Sequence, residues 1–189
     1  MCIGFAGTVS VGKTTLVKAL QELPEFKDYH FRTERSKYLM GLGIPLNTDS
    51  TVKGQTVFLA ERASELIEEK IITDRTIIDV MAFTKSAKSI SLIDGDKFCD
   101  FASSMLKDYD YIFYVSPEGV EIEDNGVREI NSGYRDYIDH TITNLLIEHR
   151  KNIRNLVHIK GSTDERIETV RQAIFGRRGR YGLNTAIVF

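Results

Sequence analysis

Cys2-Ile3-Gly4-Phe5-Ala6 is a short apolar run, and Gly7-Thr8-Val9-Ser10-Val11-Gly12-Lys13-Thr14 follows it without a gap. The second stretch has the spacing G-x-x-x-x-G-K-T. Placed after a strand pattern and before a helix pattern, that spacing denotes a phosphate-binding loop. At average composition such a match arises at about one position in 30,000, so a chance hit in 189 residues falls below about 1%. Glycines at both ends allow a backbone path that turns several N–H groups inward, a nest for the oxygens of a nucleoside triphosphate. The helix that begins near Lys13 adds the positive end of its dipole. The Lys13 ammonium is placed for the β- and γ-phosphates and the Thr14 hydroxyl for Mg²⁺. Gly7, Val9, Ser10, Val11, Gly12 and Thr15 complete the expected contact set.

Composition bounds what can be built around this loop. A chain of 189 residues, 42% apolar and 28% charged, forms one core without disulfides or a structural metal. A formal charge of −2 argues against a surface made to coat nucleic acid. Cys2 and Cys99 have no metal-ligand spacing, and Cys2 reads as a small buried thiol in a strand. Their use fits a reducing, cytoplasmic setting. The strand and loop at the N-terminus leave no room for a signal peptide, and no apolar run approaches membrane-spanning length.

Strand and helix patterns then alternate. Lys13 to Glu22 reads as a helix, with Leu16, Val17 and Leu20 on one face. Tyr29–Thr33 alternates like a strand. A long helix is expected over 51–69, with Val52, Val57, Leu59, Ala60, Ala63, Leu66 and Ile67 as its apolar face. Strand 70–75 follows, then helices near 77–88 and 95–107. Tyr111–Val115 is the near-continuous apolar run of a central strand covered on both faces. Helix 134–150, strand Leu156–Ile159 and helix 163–175 close the pattern. The reading is an α/β P-loop NTPase, a three-layer sandwich around a five-stranded parallel sheet with right-handed crossovers, over residues 1–175.

In such sheets ligands sit at the carboxyl ends of the strands. The loop, Glu34-Arg35, Asp74-Arg75 and Ser116-Pro117 all fall at such ends and are expected to line one cleft. Asp74 closes an apolar strand, where phosphate-loop enzymes hold Mg²⁺ through water. The competing reading makes it the N-cap of the next helix. Arg75 is a candidate for holding a substrate phosphate, or else a structural ion pair with Glu34 or Asp79. Glu34 is placed to accept from a sugar hydroxyl and act as general base. The residues leave open whether Glu34 or Asp74 is the base.

Residues 118–135 are polar and glycine-bearing and read as a lid, with Arg128 first and Arg135 second as the arginine that meets charge on the transferring phosphoryl group. The 36–58 segment is too long for a plain connection. In it Gln55 offers a two-way amide bond to a base edge, with Tyr38 or Phe58 as stacking partners or as plain core. Gly161-Ser162-Thr163 is a weak candidate for close packing on adenine. The tail 176–189 is basic from Arg177 to Arg180 and then apolar; it reads as a terminus, with a nucleic-acid or partner contact as the sharper alternative.

Taken together, Gly7–Thr15, Glu34-Arg35, Asp74-Arg75, Asp79 and Gly126-Val127-Arg128 resemble the small P-loop nucleoside and nucleotide kinases. These are related to thymidylate kinase and nicotinamide riboside kinase, and the closest likeness is to short kinase-like ATPases of phage genomes. The resemblance implies ATP with Mg²⁺ at Lys13 and Thr14, a metal or base role for Asp74, substrate binding at Glu34, Arg35, Gln55, Arg75 and Arg135, and Arg128 as lid arginine. It implies a cytoplasmic enzyme (host cytoplasm, if phage-encoded). The lid holds one glycine–arginine pair rather than an arginine-rich sequence, and the thymidylate-kinase substrate signature is incomplete. The acceptor therefore stays open among a nucleoside, a nucleotide and a hydroxyl within DNA, and a homodimer stays open with it. A nucleotide-driven switch or motor is the alternative of another class. Against it, the strand ends Asp74-Arg75 where motors carry Asp-Glu, and no Asn-Lys-x-Asp occurs.

Overall fold

The apolar runs form a parallel sheet that is covered on both faces. The computed structural model describes residues 1–33, 35–120 and 132–176. Among them the strands are β1 (Cys2–Ala6), β2 (His30–Arg32), β3 (Ile71–Asp74), β4 (Tyr111–Val115) and β5 (Leu156–Ile159). They pair in the order β2-β3-β1-β4-β5, every pair parallel. The helices are α1 (Lys13–Gln21), α2 (Ser36–Gly41), α3 (Val52–Glu65), α4 (Ile77–Ser86), α5 (Leu92–Ser103), α6 (Ser132–Glu148) and α7 (Thr163–Phe175).

Alternation along each strand separates two cores. Ile3, Phe5, Ile72, Phe113, Val115 and Ile159 face α1 and α7, where Leu16, Val17, Leu20 and Val170 meet them. Cys2, Ala6, Ile71, Ile112 and Tyr114 face the other layer, built from Leu59, Met81, Ala102, Ile138 and Ile142 of α3 to α6. Phe5 and Phe113 stack across β1 and β4 at 5.3 Å. Burial on both faces explains why the strands read as continuous apolar runs rather than alternating ones. Both cysteines are buried, which pushes the Cys2 thiol up to about 12 and that of Cys99 to about 11. They are inert packing groups.

Several elements differ from the sequence expectation. α3 ends at Glu65 rather than near 69, and Ile67 beyond it is 84% exposed. Its inward stripe is Gln55, Leu59, Arg62 and Glu65, while Val52 and Val57 stay exposed. Counting apolar residues selects the wrong stripe here, because Arg62 and Glu65 enter the interior as an ion pair 2.6 Å apart. α5 starts at Leu92, earlier than expected, because the Ser91 hydroxyl caps it by accepting the Asp94 N–H at 3.1 Å. The 36–58 segment holds α2, a 3₁₀ turn over Asn47–Asp49 and the first turns of α3. α6 begins at Ser132, inside the span expected as lid. The rest of that span from 121 to 131, Glu34, and the tail from Arg177 onward lie outside the described residues. Among the described residues no helix is long and apolar enough to cross a membrane.

The register positions the site. Phe5 lies opposite both Asp74 and Phe113. The chain leaving β1 therefore passes directly beside the end of β3.

Candidate active site

The phosphate loop is wedged at its start. A side chain at Gly7 would place its Cβ 2.7 Å from the Val115 carbonyl oxygen, so only glycine fits. Ser10 (φ 58°) and Gly12 (φ 81°) are left-handed, which turns successive N–H groups toward the cleft. Gly12 caps α1 without a side-chain bond, leaving the helix-end donors to a ligand. Lys13 is buried and donates to the carbonyls of Gly7 at 2.6 Å and Thr8 at 2.7 Å. From α7, Arg166 reaches under the loop and donates to the Val11 carbonyl at 2.6 Å.

Asp74 is 1% exposed at the end of β3. Its Oδ2 accepts the Thr14 hydroxyl, while its Oδ1 is buried with no hydrogen-bond partner. The helix cap expected as its alternative role belongs instead to Thr76, in a reciprocal capping box with Asp79. Between them Arg75 holds φ at 118°, a strained backbone for a residue with a side chain. Its carbonyl accepts the Thr73 hydroxyl at 2.8 Å. Its guanidinium lies 3.6 Å from Asp79 Oδ1 and 5.0 Å over the Phe83 ring. Beneath, the buried Tyr109 oxygen accepts the Ile77 N–H at 3.2 Å, fixing the first turn of α4.

Loop and strand end open on a cleft of about 490 Å³, a volume usual for a small-molecule site. Val9 to Thr15, Asp74 and Arg75 form its phosphate end. Beyond them the walls are Leu46, Phe58, Val80 and Phe83, with Gln55 and Ser50 as polar groups and Lys18 and Lys37 also in the lining. Gln55 is 3% exposed. The Ser50 hydroxyl is buried without a partner.

The structure thus gathers the loop residues, Asp74, Arg75 and Gln55 around one space. Two arginines expected there lie elsewhere. Arg35 is exposed, paired with Glu61 at 3.1 Å and stacked 4.4 Å over Tyr38. Arg135 is buried and donates to the carbonyls of Val120 at 2.7 Å and Pro117 at 3.1 Å, and its own carbonyl accepts the Thr8 hydroxyl at 3.0 Å. Glu34 and Arg128 lie outside the described residues. Gly161-Ser162-Thr163 forms the start of α7, where Ser162 and Glu165 make a second capping box. Sequence reading assigned no site role to Asp79, Arg166 or Ser50. The Thr76-x-x-Asp79 spacing signals the first; nothing local signals the other two.

Comparison with known proteins follows this geometry. Residues 2–166 match a family model described as an AAA domain. Among solved structures, deoxyadenosine kinase from M. mycoides with products dCMP and a flexible dCDP bound superposes with TM-score 0.64 at 17% identity, covering 92% of this chain and 98% of that one. The same enzyme with bound dATP gives 0.63 at 18%, with the same coverage. Thymidylate kinase from Candida albicans gives 0.64 at 16%, covering 92% of this chain and 90% of its own. At these identities the likeness is one of fold: the α/β P-loop sandwich. No curated protein matches the sequence.

Proposed function

We propose that this chain, which belongs to the AAA-domain family, is a kinase that transfers the terminal phosphoryl group of ATP, held with Mg²⁺, to a nucleoside or nucleotide. The observation that carries the reading is the meeting of Thr14 with the buried Asp74 at the phosphate end of a cleft that continues past Arg75 to Gln55. The fold neighbours named as deoxyadenosine and thymidylate kinases support it.

The residues suit a divalent cation. A buried carboxylate oxygen without a hydrogen-bond partner is costly unless something occupies it, and Asp74 Oδ1 is such an atom beside a hydroxyl. Thr14 and Asp74 would hold Mg²⁺, which would supply charge neutralisation on the nucleotide phosphates. Lys13 exchanges its two carbonyl acceptors for phosphate oxygens, keeping its ammonium on the transferring group. The loop amides hold the phosphates without reorganisation. On the acceptor side Gln55 pairs with a base edge, Phe58 flanks the ring, and Arg75 holds an oxyanion. Glu34 as general base and Arg128 as the arginine on the developing charge complete the proposal from the sequence. Arg75, standing where a hydrolase would carry its water-activating Glu, favours transfer over hydrolysis.

The test follows ³²P from [γ-³²P]ATP into deoxynucleosides, deoxynucleotides and oligonucleotides, with Lys13→Ala as control. Labelled acceptor from the parent and none from the variant is the expected result. Release of label to water alone rejects the kinase reading, and full activity in the variant rejects the loop assignment.

A further inference from the structure

Asp79 belongs to α4, yet its carboxylate serves three parts of the site. Oδ2 accepts the Thr76 backbone N–H at 2.8 Å and the Thr76 hydroxyl at 2.9 Å. Oδ1 accepts the Gly7 N–H at 3.2 Å and lies 3.6 Å from Nη1 of Arg75. The residue is 0% exposed, so these contacts form away from water, where an aspartate is tolerated only if its oxygens are matched. Capping α4 needs Oδ2 alone. Oδ1 is additional to the cap, and it joins two separate parts of the site: it accepts the N–H of Gly7, the first residue of the phosphate loop, and forms an ion pair with Arg75, the arginine that follows Asp74.

We propose that Asp79 is a positioning residue, one carboxylate oxygen of which sets the start of the phosphate loop and the Arg75 guanidinium at a fixed separation. The proposal rests on the reading of that loop as the nucleotide site. Both partners are over-determined. Gly7 is held to glycine, because a Cβ there would stand 2.7 Å from the Val115 carbonyl oxygen. Arg75 keeps its strained φ of 118° between the Thr73 bond to its carbonyl and the capped Thr76. Such a conformation persists only where the surroundings hold it from several sides. Phosphoryl transfer depends on in-line placement of donor and acceptor, so an anchor shared by the phosphate loop and Arg75 acts directly on that geometry.

Chemistry explains why a carboxylate is used. An asparagine has one oxygen. If that oxygen stays with Thr76, the amide N–H₂ faces the Gly7 N–H and the guanidinium, donor against donor. Asp79→Asn therefore keeps the cap while removing the shared contact. Thr76→Val does the reverse: it removes the capping hydroxyl and leaves Oδ1 untouched.

Mg·ATP affinity is measured by calorimetry for the parent, D79N and T76V, together with Tm and the rate at which phenylglyoxal modifies Arg75, read by mass spectrometry. D79N is expected to bind Mg·ATP about tenfold more weakly or worse, the consequence of an unmatched buried N–H. Its Arg75 is expected to react faster. T76V is expected to lower Tm and keep Mg·ATP affinity within about twofold. Parental affinity in D79N overturns the proposal, as does a T76V loss equal to that of D79N; an unchanged Arg75 rate removes the arginine from it. If D79N does not fold, Asp79→Glu, which displaces the charge, is measured against the same limits. A parent chain that binds no Mg·ATP sinks the functional reading instead.

Discussion

The hydroxyl of Thr14 donates to Oδ2 of Asp74, joining the first turn of α1 to the end of β3 across 60 positions of sequence. The two groups expected at a phosphate-bound cation are therefore in direct contact. Asp74→Asn keeps an oxygen for the Thr14 hydroxyl and removes the charge. Turnover should fall by at least about 100-fold with Tm little changed. Steady-state kinetics across a range of Mg²⁺ concentrations checks this, and a loss below about threefold strips Asp74 of its metal and base roles.

The proposed function makes Gln55, which lines the cleft, the polar reader of the acceptor. Gln55→Leu preserves the volume and removes both amide functions, so the KM for a nucleoside or nucleotide acceptor should rise about tenfold or more. Mg·ATP affinity should not move, because Gln55 lies beyond the phosphate end. Equal effects on both ligands would show that the variant disturbs the whole cleft.

Glu65 gives the fold a pH dependence of predictable sign. Burial raises its carboxyl from 4.5 to about 7, with Arg62 opposing the shift. Between those values the folded chain holds a proton that the unfolded chain releases. The contribution to stability is full below about 4.5 and is lost as pH climbs through about 7. Tm measured from pH 4.5 to 8 should slope downward from this source, and Glu65→Gln should flatten it. A slope unchanged in the variant assigns the effect elsewhere.

Gly4 is a packing requirement. A Cβ there would stand 2.5 Å from Thr76 Cγ2 and 2.8 Å from the Tyr109 ring. Gly4→Ala should cost about 1–3 kcal/mol by denaturant unfolding. A variant as stable as the parent would mean that this layer yields freely.

The sheet, the loop and the Asp74-Arg75 strand end were legible because each depends on neighbours in sequence: an apolar run, a spacing, a strand terminus. α3 was misjudged at its surface. Its buried stripe carries Gln55, Arg62 and Glu65, whose interior places are decided by a partner charge and a cleft, which composition does not record. Asp79 was half-legible, as a candidate ion-pair partner of Arg75; its bond to the Gly7 N–H, 72 positions away, was not. Arg166 was not legible at all, because its partner is the Val11 carbonyl, 155 positions away.

That separation makes the loop depend on a remote element. The G-x-x-x-x-G-K-T signature is local to the turn after β1, whereas the guanidinium that braces its Val11 carbonyl belongs to α7. A fragment that carries the signature without α7 therefore lacks the brace.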